Sequence, residues 1–156
     1  MQPDLKKLLK VKRLRFDKAE RLLREAEEAY AEAQSEVERI EQELTDLREQ
    51  AEKGRETLHD QHLWRFNSRT EFEEFQHQLA QWTRKVNELE QSLREAEQAL
   101  LEAEANRDQC EADKLMAARQ VEKFDYLVDE DKKRAASAQV AKEDAEAEEI
   151  SELRYR

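Results

Sequence analysis

The sequence predicts an all-α protein, a long antiparallel two-helix coiled-coil hairpin with its turn near residues 65–70. Three observations predict it. Apolar residues recur at alternating steps of three and four from near residue 5 to Val128, the 3.5-residue period that keeps two supercoiling helices facing each other. Between them stand Glu, Ala, Gln, Arg and Lys, all strong helix formers. The 156 residues include one glycine and one proline, so few backbone breakers interrupt the pattern.

The first arm, about residues 4–66, carries the seam Phe16, Ala19, Leu23, Ala26, Tyr30, Ala33, Val37, Ile40, Leu44, Leu47, Ala51, Gly54 and Leu58. The next steps land on Gln61, Arg65 and Ser68, three polar positions in succession. A seam interrupted this way favours a turn over one continuous helix. Asn67 and Ser68 are residue types that stop and cap helices, and Ser68 with Glu71 and Thr70 with Glu73 fit the capping-box spacing. The second arm, about residues 68–128, resumes with Phe72, Phe75, Leu79, Trp82, Val86, Leu89, Leu93, Ala96, Leu100 and Ala103. It then runs through Arg107, Cys110 and Lys114 to Ala117, Val121, Phe124 and Val128. Phe16–Leu58 and Phe72–Lys114 match in length and mirror each other about residue 65. That register sets Leu58 against Phe72, Phe16 near Lys114, and Leu5 near Phe124 or Asp125. Residues 1–128 then form a single hairpin, and residues 129–156, where the seam degrades, are expected as frayed helix or disordered acidic tail. The alternative architecture is a parallel scaffold or tether in which each chain is one helix.

Charge is distributed unevenly. The net charge is −11, yet residues 1–24 hold nine bases against three acids, while residues 25–105 hold nine bases against 22 acids. A basic end with Leu5, Leu8, Leu9, Val11, Leu14 and Leu22 offers more apolar surface than one seam buries, and so reads as a docking surface for an acidic or concave partner. The acidic body argues against nucleic acid. No apolar run approaches the roughly 20 residues a membrane span needs, so no membrane insertion is expected. A single cysteine, Cys110, sits on the seam as a small hydrophobe. No metal, cofactor or catalytic set is legible: His59 and His62 share a helix face without a completing ligand, and His77 stands apart. The turn gathers Leu63, Trp64, Arg65 and Phe66, with Phe72 and Phe75 just beyond, a composition suited to partner binding.

An ordered set of short motifs resembles the YscO family of bacterial type III secretion proteins, the injectisome counterparts of flagellar FliJ. The set is Val11-Lys12-Arg13-Leu14-Arg15 followed by Ala19-Glu20, His62-Leu63-Trp64-Arg65 at the tip, and Leu79-x-x-Trp82-x-Arg84 in the second arm. Near the end come Ala118-Arg119-Gln120, Lys123-Phe124, Leu127-Val128 and Glu130-Asp131. The resemblance implies a non-enzymatic central stalk, monomeric as a hairpin, in the bacterial cytoplasm and peripheral at the inner membrane. Its partners would be the hexameric secretion ATPase and the cytoplasmic ring of the export-gate protein, with export chaperones as further partners and no cofactor. By that analogy Lys12, Arg13, Leu14, Arg15, Arg119, Lys123 and Phe124 form the ATPase-docking end. Leu63, Trp64, Arg65, Phe66, Phe72 and Phe75 form the tip that meets the export gate or chaperones.

Overall fold

The computed structural model describes residues 4–62 and 69–155, with the side chains of residues 58–62 left aside. Two helices account for almost all of it: α1, Leu5–His62, and α2, Arg69–Arg154. They form a helical hairpin, and the parallel one-helix alternative is set aside. The expected polar break falls between them, although residues 63–68 lie outside the described residues.

Burial follows the heptad seam closely. Every seam position from Phe16 to Gly54 in α1 is buried or half-buried, and so is every one from Phe75 to Val128 in α2. Phe72 is the exception at 44% exposed. The two helices share the burden unequally. Leu9, Leu23, Ala26, Val37, Ile40, Leu44 and Ala51 of α1 are buried, but Val128 is the buried residue of α2.

The chain divides into two compact units. One joins residues 1–24 to 109–156, and the other is residues 25–108. In the second unit the helices are antiparallel, and particular side chains fix their register. The Arg107 guanidinium stacks 4.3 Å from the centre of the Tyr30 ring. Arg48 Nη2 donates to Glu90 Oε1 at 2.7 Å. Trp82 lies directly over Gly54, where an added Cβ would come within 2.1 Å of the indole. Gly54, the chain's one glycine, is therefore the notch that admits the tryptophan.

These pairs correct the expected register. Tyr30 with Arg107, Arg48 with Glu90 and Gly54 with Trp82 are symmetric about residues 68–69, not 65. The partner of an α1 residue thus lies about one heptad further along α2 than the mirror about residue 65 placed it. Leu5 accordingly does not face Phe124: the Lys12 ammonium sits 5.3 Å from that ring's centre. A one-heptad slip returns the same positions to the seam, so periodicity cannot distinguish the two registers; the glycine notch and the cross-helix pairs can.

In the C-terminal segment, α2 continues unbroken to Arg154 while every residue from Asp131 to Tyr155 is exposed. Alanine, glutamate and lysine sustain the helix on their own propensity. Local pairs such as Gln139 Nε2 to Glu143 Oε1 at 3.2 Å and Lys133 with Glu130 at 3.7 Å add to it.

Candidate functional site

The unit formed by residues 1–24 and 109–156 holds the predicted docking end. Asp4 starts it. Its Oδ1 accepts from the backbone N–H of Lys6 at 3.1 Å and of Lys7 at 3.3 Å. That is an N-cap, satisfying two of the amide donors a helix leaves open at its first turn and placing a negative charge at the positive end of its dipole. Sequence reading passed over this residue, although an aspartate just ahead of a periodic apolar run is the usual cap signature. The cap fixes where α1 begins and so which bases face outward.

Leu9, Leu23 and Val128 are buried in this unit, flanked by half-buried Phe16, Ala19, Ala117, Val121 and Phe124. Around this seam the predicted docking residues separate into two groups. Three hold the helices to each other. Lys12 lies over the Phe124 ring, and Arg13 Nη2 donates to Asp125 Oδ1 at 3.2 Å. Both Arg13 and Asp125 are more than half exposed, so their ion pair is screened and contributes at most about 1 kcal/mol. The remaining four point outward: Leu14 is 60% exposed, and Arg15, Arg119 and Lys123 are exposed as well. Beside them a shallow cleft is lined by Arg15, Lys18, Ala19, Leu22, Cys110 and Asp113.

Sequence reading also missed apolar surface on α2. Leu115, Met116 and Tyr126 each expose more than half of their area. Their signal was available, since all three lie off the seam between half-buried seam residues, but counting only seam positions hides them. With Val11 and Leu14 of α1 they give this unit exposed apolar side chains on both helices, set among lysines and arginines. Such a surface can bind an apolar or acidic partner, and the basic side chains add steering toward negative charge.

The predicted tip belongs to the unit of residues 25–108. Leu63, Trp64, Arg65 and Phe66 lie outside the described residues. Of the other two, Phe72 is exposed and Phe75 half-buried. Nearby Arg69 Nε and Glu73 Oε1 are 3.4 Å apart across one turn.

Elsewhere the surface is a solvated charged face. Arg39 bridges Glu36 and Glu43 on successive turns of α1. Its hydrogen bond, and then its charge, hold the Glu36 carboxyl below the usual carboxylate range, and the same contacts push the arginine further up. Among the described residues no helix is long and apolar enough to cross a membrane.

No curated protein and no solved structure matches the chain. A family model does. The model described as type III secretion protein YscO matches residues 5–153, nearly all of both helices, and the chain belongs to that family.

Proposed function

We propose that this type III secretion component is a non-catalytic stalk that links the export ATPase ring to the export gate, with its paired helix ends at the ATPase and its tip at the gate. Family membership over residues 5–153 supports the secretion role. The observation that carries the docking end is the exposed group Leu14, Arg15, Arg119 and Lys123, standing around a seam that Lys12, Arg13 and Phe124 help to close. A two-helix hairpin can enter a ring without a globular core, and it acts by contacting some ring conformations better than others. Exposed cations speed encounter with an acidic pore lining, and the apolar residue between them holds the complex. Export chaperones are further partners of the Phe72 and Phe75 end in this reading.

The test is stimulation of the cognate ATPase by the purified chain. Reversing Arg15 and Lys123 to glutamate should lower stimulation roughly tenfold, with most of the loss in association rate. Both residues are exposed, so helicity should stay at the wild-type level. Unchanged stimulation by the double variant would remove this end from the ATPase.

A further inference from the structure

Two oppositely charged faces of the same unit are left uncovered. The first turns of α1, Leu5–Arg15, hold six bases and no acid. On their outer side Leu14, 60% exposed, is surrounded by exposed Lys7, Lys10, Val11 and Lys18 at helical spacing. The second face is the overhanging end of α2. Between Glu143 and Glu152 it holds six acids and no base. Val140 and Ile150, each 56% exposed, share one side of it with Ala136 and Ala147. That side is rotated off the seam, whose continuation falls on Asp131, Lys142 and Glu149.

We infer that these faces are complementary halves of a self-association surface: the α2 overhang of one copy packs along the first turns of α1 in a second copy. The overhang cannot reach its own α1 this way. α2 runs unbroken to Arg154, with no glycine or proline inside it, so it cannot fold back without losing helix. The second copy supplies what the first lacks, and a two-fold axis lets each overhang lie on the other chain's α1, the same pair of faces used twice. Leu5–Arg15 runs about 16 Å at 1.5 Å per residue, well within the roughly 36 Å of residues 131–154, and the two-fold axis doubles the contact. The alanines allow close approach, Val140 and Ile150 meet Val11 and Leu14, and the charges fix the pairing. The α1 face shares Leu14 with the proposed ATPase-docking group, but sedimentation reads self-association without the ATPase, so the inference can fail separately from the stalk reading.

Sedimentation velocity on the chain at low and moderate salt tests it. The wild type should form a dimer whose dissociation constant rises about tenfold between ~50 and ~300 mM salt. Lys7→Glu with Lys10→Glu should be monomeric, and so should Glu143→Lys with Glu146→Lys, each with wild-type circular dichroism because all four positions are exposed. An equal mixture of the two variants should dimerise again, since each reversed face then meets an opposite one. A wild type that stays monomeric at low salt overturns the inference. So do variants that dimerise alone as the wild type does, or folded variants whose mixture stays monomeric.

Discussion

Gly54 shows how much one side chain decides here. In a helix interior glycine costs roughly 0.5–1 kcal/mol relative to alanine, yet this glycine lies against Trp82 with no room for a methyl group. Gly54→Ala should therefore destabilise the chain by about 1–3 kcal/mol despite the gain in helix propensity. The measurement is a denaturant melt in a Trp64→Phe background, where Trp82 fluorescence reports the local displacement. Asp4→Ala should cost about 1 kcal/mol through the lost cap, visible as faster amide exchange at Lys6 and Lys7, its two bonded N–H groups. The pair of Glu36 and Arg39 carries a pH dependence. Because the folded carboxyl titrates lower than it does unfolded, its small contribution is present above the unfolded value and is lost as pH falls through the folded one. Carbon-detected NMR titration of Glu36, with Arg39→Gln as the comparison, should show the depression vanish.

At the scale of the elements the question is register. The heptad pattern is satisfied whenever α2 slides by seven residues, so the apolar seam sets which faces meet but not which residues. Arg48 with Glu90 and Arg107 with Tyr30 supply the difference, together with the Trp82 notch. A short bismaleimide should link cysteines placed at 48 and 90 in a Cys110→Ser background, and should fail between 48 and 82, the positions paired by a mirror about residue 65. The reverse result would restore the earlier register. The α2 overhang is the other element-scale result. Helix propensity and i,i+4 pairs maintain it with no packing partner among the described residues. Deleting residues 135–156 should leave the melting temperature of the monomeric chain within about 2 °C of wild type, because that segment buries nothing against α1.

For the whole molecule, the proposed partner surfaces lie where the seam stops covering the helices. A coiled coil spends its apolar residues on one stripe, and what remains apolar off that stripe is free for partners. Val11, Leu14, Leu115, Met116 and Tyr126, in the unit of residues 1–24 and 109–156, are among the residues so left. Of the seven residues that the family resemblance assigns to docking, Lys12, Arg13 and Phe124 make cross-helix contacts, whereas Leu14, Arg15, Arg119 and Lys123 are exposed. Charge reversal at Arg13 would place two acids together at Asp125 and weaken the unit itself. A loss of ATPase stimulation in Arg13→Glu should therefore come with a lower melting temperature, whereas Arg15→Glu should lose stimulation alone.

The sequence by itself determined the fold class, the two arms, the break between them and the seam from Phe16 to Val128, because helix formation and one-sided burial are local and periodic. Its ordered motifs also carried the family resemblance. Tertiary structure decided the register, the purpose of Gly54 and the division of the docking residues, because each depends on which residue of the other helix stands opposite. It also decided that the C-terminal segment is helix without a partner. Local propensity favours that helix, and the exposure of Asp131–Tyr155 shows that no described residue packs on it.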